Sequence, residues 1–158
     1  MDVKVDAYIP AEYIPNEFQK LDIYKRIAEV ETEGEREDML DELTDRFRKP
    51  PKCVINLLDI AYIRSRAHKA YITSIEELGD DYVIKMFGKA KVDPSKIPDL
   101  IVNEKGNLKF VPERKIIKKG KEVVLDPYFC YRKTGDPLET ISYAVGLIES
   151  LVITNEEK

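Results

Sequence analysis

The hydrophobic residues change their period near residue 70, and this change limits the fold more than any other feature of the sequence. Before residue 70, apolar residues recur at helical spacing in three segments separated by charged residues and by prolines. Beyond it, runs such as YITSIEELGDDYVIKMFG and KIIKKGKEVVLDPYFCY alternate in steps of two around glycine turns. A last helical pattern starts at Gly135-Asp136-Pro137. The sequence therefore predicts an α+β domain with N-terminal helices, a small mixed β-sheet and a closing C-terminal helix, over residues 1–158.

Local signals place several of these elements. Val3 to Ile9 alternates apolar and polar residues before Pro10, which favours an edge strand. Asn16 is the expected N-cap of the first helix. The apolar face that we expect to meet the core consists of Phe18, Leu21, Ile23, Tyr24 and Ile27. The segment after Gly106-Asn107 predicts two or three further strands.

Motifs for catalysis and cofactor binding are missing from the sequence. No glycine begins a GxxxxGK[ST], GxGxxG or GxSxG pattern. The one histidine, His68, has no second histidine or nearby cysteine for a metal site, and Cys53 and Cys130 lack CxxC spacing. We expect a non-enzymatic domain without metal or cofactor. A small hydrolase working through His68 or Cys53 is the last-ranked alternative.

Charge gives a second alternative. The formal net charge is −4, so the surface as a whole does not attract a polyanion, and we do not expect direct DNA contact. A local nucleic-acid-binding module using Lys115 to Lys121 stays open, because clustered cations bind phosphates. The wider basic cluster contains Lys105, Lys109, Arg114, Lys115, Lys118, Lys119 and Lys121, with Phe110 among them. A solvated hairpin protected by lysines explains the same residues.

The lengths of the apolar runs and the N-terminal sequence bear on where in the cell the protein is located. No apolar run approaches the roughly 18 residues of a membrane span, and the N-terminus lacks the apolar stretch of a signal peptide. We therefore expect a cytoplasmic protein. The opening methionine stands directly before a strand-like run, which suggests a piece of a longer protein.

One acidic pair stands out on the second helix. Glu42 and Asp45 are three residues apart, so both carboxylates share one face and could receive arginines. The same spacing fits an ordinary solvated face in which Glu42 pairs with Arg46 at i, i+4. Spacing alone favours the solvated face.

Three runs carry a resemblance to a known family. DAYIPAEYIPNEFQKLDIYKRIA, DELTDRF and PPKCVINLLDIA, between Asp6 and Ala61, resemble in order and spacing the C-terminal (TRCF) domain of bacterial transcription-repair coupling factor. This chain has Arg48 after DRF, where the family usually has glycine, and HKAYITSI in place of the family's LGI-like segment. After Ala70 the resemblance is limited to the order of strands and helices.

The resemblance implies a regulatory role within a larger protein. Members of the family are ATP-driven DNA translocases that displace stalled RNA polymerase and recruit the excision-repair protein UvrA, and ATP binds outside this domain. Their C-terminal domain packs on a UvrB-like module, hides the surface that UvrA uses and restrains the translocase module. Glu42 and Asp45 match the family's acidic contact pair, which is expected to meet arginines of the UvrB-like module. With the resemblance included, we favour this partner contact over the solvated face.

Overall fold

A computed structural model describes residues 1–153 of the chain. The described chain divides into two compact units, one formed by Lys4–Arg66 and the other by Met1–Val3 together with the chain from Ala67 onward. The expectation that residues 1–158 form one domain stays a prediction.

Three helices build the unit formed by Lys4–Arg66. They are α1 (Glu17–Ala28), α2 (Glu33–Arg46) and α3 (Lys52–Lys69), whose last residues belong to the other unit. As predicted, the side chain of Asn16 caps α1 by accepting a hydrogen bond from the backbone N–H of Gln19. Thr32 caps α2 in the same way, and Gly34, expected to lie in the break before α2, falls within its first turn. The core of the unit contains Ile9, Tyr13, Ile14, Ile23, Ile27, Val30, Met39, Leu43, Val54 and Leu58.

The predicted apolar face of α1 is correct only in its second half. Ile23 and Ile27 are buried, but the side chains of Phe18 and Leu21 are 85% and 58% exposed. These two residues lie in the first turns of α1, which the core of this unit does not cover. The expectation that Phe18 and Leu21 meet the core is therefore wrong.

The segment Val3–Ile9 alternates in burial as predicted but forms no strand. Its polar groups bond to side chains and to the backbone of α3 instead of to a neighbouring strand, since the N–H of Tyr8 donates to the carbonyl of Cys53 at 3.2 Å. Asn56 Nδ2 donates to the carbonyl of Asp6 at 2.9 Å, and the N–H of Ile9 donates to the hydroxyl of Tyr24 at 2.7 Å. Partners on α1 and α3 thus replace the ladder that the alternation suggested.

The second unit contains all the strands that the structure describes. Its elements in chain order are β1 (Ile72–Leu78), β2 (Asp81–Met86), α4 (Ile97–Asn103), β3 (Leu108–Val111), β4 (Arg114–Lys118), β5 (Lys121–Leu125), β6 (Tyr128–Arg132) and α5 (Pro137–Glu149). Four strands form a sheet in the order β1–β2–β6–β3, and β4 pairs with β5 in a separate two-stranded sheet. Four strands follow Gly106-Asn107, where two or three were expected.

The α+β class is confirmed, with helices first, antiparallel ladders next and a helix at the end. The predicted mixed sheet is in fact largely antiparallel, apart from an isolated parallel bridge between Asp2 and Glu76. Helix α5 starts where predicted, because the side chain of Asp136 accepts a hydrogen bond from the N–H of Glu139. The buried face of α5 consists of Leu138, Thr140, Ile141, Ala144, Val145 and Ile148.

Candidate docking face on helix α2

Helix α2 presents a continuous acidic stripe. Met39 and Leu43 are 5% and 0% exposed, so burial of these two side chains fixes which way the helix faces. Acidic residues follow on the outward side at spacings of three, four and seven, which places them on one face. The stripe consists of Asp38, Asp41, Glu42 and Asp45, of which only Glu42 is partly buried. Sequence reasoning selected Glu42 and Asp45 and missed the other two, although their helical spacing was a readable signal.

Glu42 is held by two arginines of its own unit. Arg26 of α1 makes a bidentate pair with it, through Nη2 to Oε1 at 2.6 Å and through a very short Nη1 to Oε2 contact. Arg46, one turn further along α2, donates Nη1 to Oε2 at 3.1 Å. The hydrogen bond from Arg26, assisted by Arg46, lowers the pKa of Glu42 to about 2 against the opposing effect of desolvation. Glu42 is therefore ionised and fixed in orientation at neutral pH.

Asp45 differs from Glu42 in having no such partner. Its side chain is exposed, and it forms no ion pair or hydrogen bond with any residue between 1 and 153. The structure therefore places the two predicted residues on one face but gives them different surroundings. The predicted i, i+4 pair between Glu42 and Arg46 forms at the same time as the longer-range pair with Arg26, which spacing could not reveal.

A groove of about 250 Å³ lies beside Glu42, between α1 and α2. Val30 and Met39, both nearly fully buried, are its apolar members. Its charged members are Arg26, Glu29, Glu35, Asp38 and Glu42, so four acids surround one base. Such a lining favours a cationic side chain with an aliphatic stem, as in arginine or lysine.

The end of α2 explains the departure at Arg48. The backbone of Arg48 has φ of 158°, a value that suits glycine. Three contacts hold the arginine there. Its carbonyl accepts from the hydroxyl of Tyr13 at 2.7 Å, its Nη2 donates to the carbonyl of Glu12 at 2.8 Å, and its guanidinium lies 5.3 Å from the ring centre of Tyr13. The two guanidinium contacts require the arginine side chain, whereas any residue could supply the carbonyl.

The residues of the hydrolase alternative are not brought together. Cys53 and His68 lie near opposite ends of α3, so the helix itself separates them. Burial raises the pKa of the Cys130 thiol, which disfavours a reactive thiolate. Over residues 1–153, no group of three or more histidine, cysteine or acidic side chains is arranged to hold a metal ion. The helices described there include none that is both long and apolar enough to cross a bilayer.

The predicted basic cluster is divided between two sheets. Lys109 lies on β3 of the four-stranded sheet, whereas Lys115, Lys118 and Lys121 lie on the separate β4–β5 hairpin and Lys119 lies in its turn. Lys115 pairs with Glu122 across the hairpin at 3.5 Å.

Comparisons with known proteins place the chain in a family. The family model described as "TRCF domain" matches residues 3–97, which include the whole of α2 and its acidic stripe. The chain is 42% identical over 90 residues to a "Transcription-repair-coupling factor" of Staphylococcus haemolyticus, an alignment that covers 57% of this chain and 8% of that protein. The corresponding protein of Staphylococcus epidermidis is 42% identical over 93 residues, covering 59% of this chain and 8% of the relative. The aligned part of the chain thus spans a small fraction of these relatives' length.

A solved structure supports the fold across nearly the whole chain. It is described as the C-terminal domain of transcription-repair coupling factor and matches with a TM-score of 0.64 over 94% of this chain and 92% of that one. Its sequence identity is 22%, so this similarity concerns the fold alone. The family model covers more than half of the chain, and the protein therefore belongs to the TRCF domain family.

Proposed function

We propose that this chain is a non-catalytic regulatory domain of a transcription-repair coupling factor, which docks through the acidic face of α2 on the UvrB-like module of the same parent protein. The docked domain would cover the surface that UvrA uses and would restrain the translocase module. ATP would bind and be hydrolysed elsewhere in the parent, which acts on stalled RNA polymerase. The observation that carries the proposal is the exposed carboxylate of Asp45, without a partner among residues 1–153, one turn from the ionised Glu42.

Glu42 and Asp45 would contribute differently to this contact. A carboxylate oxygen accepts about two hydrogen bonds. Oε2 of Glu42 already accepts from Arg26 and Arg46, while Oε1 accepts from Arg26 only. An incoming arginine could therefore add one hydrogen bond at Oε1 without breaking the internal pairs. Asp45 has both oxygens available for a bidentate pair. We assign Asp45 the main ionic contact and Glu42 the role of a fixed neighbour.

The charge of the face supports a cationic partner surface. Asp38 and Asp41 extend the stripe beyond the predicted pair, and the groove beside Glu42 adds Glu29 and Glu35. An acidic stripe of this kind complements a surface with several arginines, and such complementarity increases the rate of association.

The energy of the contact fits a reversible latch. An exposed ion pair contributes about 0 to 1 kcal/mol, whereas truncating one partner of a desolvated pair costs about 2 to 5 kcal/mol. When the domain opens, Asp45 would return to water, to which it is exposed in the chain alone. The free-energy cost of opening would therefore be small. Docking is therefore readily displaced by a competing partner such as UvrA.

The test is binding of the purified chain to the isolated UvrB-like module of the same parent protein, with and without UvrA. We expect binding that UvrA competes away, and a loss of about tenfold or more in affinity for Asp45→Asn combined with Glu42→Gln. The matched control is Asp80→Asn with Asp99→Asn, which removes the same number of negative charges from the other unit. Equal affinity of the wild type and the α2 variant would remove this face from the proposal, and absence of any binding would reject the docking function.

A further inference from the structure

The β4–β5 hairpin is an element that the proposed function leaves unused. Arg114–Lys118 and Lys121–Leu125 pair with each other in an antiparallel ladder and join neither edge of the four-stranded sheet. Every residue of β4 is exposed. Two-stranded hairpins are marginally stable by themselves in water, so an exposed hairpin that is kept in the fold calls for a function.

The hairpin concentrates positive charge. Arg114, Lys115, Lys118, Lys119 and Lys121 fall within eight residues of sequence. Lys115 pairs with Glu122, but the other four make no ion pair or hydrogen bond within the described chain, residues 1–153. The local charge is therefore opposite to the net charge of −4 carried by the whole chain.

The turn of the hairpin adds to this concentration. Lys119 and Gly120 have φ of 53° and 76°, which corresponds to the two-residue hairpin turn that requires positive φ at both central positions. Asparagine and glycine are the usual residues at the first of these positions. Here a lysine occupies it. Lys118 and Lys121 lie opposite each other at the ends of the two strands, so three cations lie close together at the tip.

Apolar side chains accompany the cations. Ile117, next to the tip, is 81% exposed, and Val124 on the opposite strand is 48% exposed. Their register places Ile117 opposite Glu122 and Val124 opposite Lys115, so both belong to one face. Arg114, Lys118 and Lys121 belong to the other face.

We propose that the β4–β5 hairpin binds duplex DNA, with the face that carries Arg114, Lys118 and Lys121 toward the groove and its free cations on the phosphates. Duplex DNA presents one negative charge per about 1.7 Å of its axis, so several unpaired cations gain contacts at once. A two-stranded ribbon with strands about 4.8 Å apart enters a major groove about 12 Å wide. Single strands are bound largely by stacking on aromatic side chains, and residues 114–125 contain none.

This activity is separate from docking through α2. The hairpin belongs to the other unit and lies beyond residues 3–97, which the family model matches. Failure of either proposal therefore leaves the other standing.

The experiment is titration of a short fluorescent DNA duplex of mixed sequence with the full 158-residue chain at several salt concentrations. The test variant carries Arg114→Gln, Lys118→Gln, Lys119→Asn and Lys121→Gln. The matched control carries Lys89→Gln, Lys91→Gln, Lys96→Gln and Lys105→Asn, which removes four exposed cations from the same unit, including one with φ of 53°. Circular dichroism of each variant verifies that it is folded.

We expect the wild type and the control to bind with a slope of log affinity against log salt of up to about −3.6, from roughly −0.9 per cation. That slope weakens binding on the order of 100-fold between about 50 mM and 200 mM salt. The hairpin variant should lose most of the affinity at low salt and most of the slope. Ile117→Ser should leave both the affinity and the slope unchanged, because Ile117 belongs to the opposite face.

Three results would overturn the proposal. They are no binding of the duplex at low salt, the same affinity for the hairpin variant as for the wild type, and an equal loss in the control variant. Competition by polyglutamate as strong as competition by unlabelled duplex would also overturn it, because the hairpin would then be a general site for acidic chains.

Discussion

Replacing Glu42 by glutamine tests whether the ion pairs between α1 and α2 stabilise the unit formed by Lys4–Arg66. The substitution keeps the shape of the side chain and removes its charge. The pKa of Glu42 falls from 4.5 to about 2 in the folded state, and one pKa unit corresponds to about 1.4 kcal/mol, so the charge contributes at most about 3 kcal/mol. The side chains of Glu42, Arg26 and Arg46 are 32%, 40% and 40% exposed, and solvent screening reduces this to about 1 to 2 kcal/mol.

The dependence on pH follows from the sign of the shift. A carboxyl whose pKa is lowered by folding stabilises the protein above its unfolded pKa and loses that contribution as pH falls through the folded value. The advantage of the wild type over Glu42→Gln should therefore be complete at neutral pH, shrink below about pH 5 and nearly vanish near pH 2. High salt should reduce it at neutral pH as well.

The assay is urea unfolding followed by far-ultraviolet circular dichroism, to which the helices of this unit contribute most. Glu37→Gln is the matched control on the same helix, because Glu37 is 57% exposed and, among residues 1–153, pairs only with Arg36 at 3.5 Å. We expect its free energy of unfolding to change by less than about 0.5 kcal/mol. The reasoning fails if Glu42→Gln unfolds at the same urea concentration as the wild type at neutral pH, or if their difference does not change with pH.

Three further predictions concern stability and use the same unfolding assay. Tyr13→Phe should cost about 1 to 2 kcal/mol, because the buried hydroxyl donates to the carbonyls of Arg48 and Leu43 at the end of α2; an unchanged midpoint would mean that water replaces it. Ile141→Ala should cost about 2 to 5 kcal/mol, because Ile141 is 0% exposed in α5, and a loss below 1 kcal/mol would contradict the packing of that helix. Phe18→Ser should change the free energy of unfolding by less than about 0.5 kcal/mol, since the ring is exposed. A cost above about 2 kcal/mol would mean that Phe18 is buried in the core after all.

Predictions from the sequence succeeded where a local interaction decides the structure. The caps at Asn16 and Asp136 act between residues three apart, so the starts of α1 and α5 could be read directly. The alternation of β1 and β2 around Gly79 likewise reflects a turn between neighbouring strands. In the same way, the i, i+3 spacing of Glu42 and Asp45 placed them on one face.

Predictions failed where a distant partner decides. Val3–Ile9 alternates like a strand, but Tyr24, Asn56 and the carbonyl of Cys53 bond to its backbone groups. Phe18 repeats at helical spacing with buried residues, yet the core of its unit does not extend to it. Hydrophobic periodicity predicts which residues share a face of a helix. How much of that face is buried depends on the packing of other elements against it.

The sequence by itself determined most of the helices and strands, their order and hence the α+β class, because capping, turn chemistry and hydrophobic period act between near neighbours. The tertiary structure alone decided which carboxylates of the acidic face are paired with arginines and which are exposed to water. Arg26 lies sixteen residues from Glu42 in sequence, and only the packing of α1 beside α2 brings its guanidinium to that carboxylate. The same packing leaves Asp45 open to water, which no spacing rule could distinguish from Glu42.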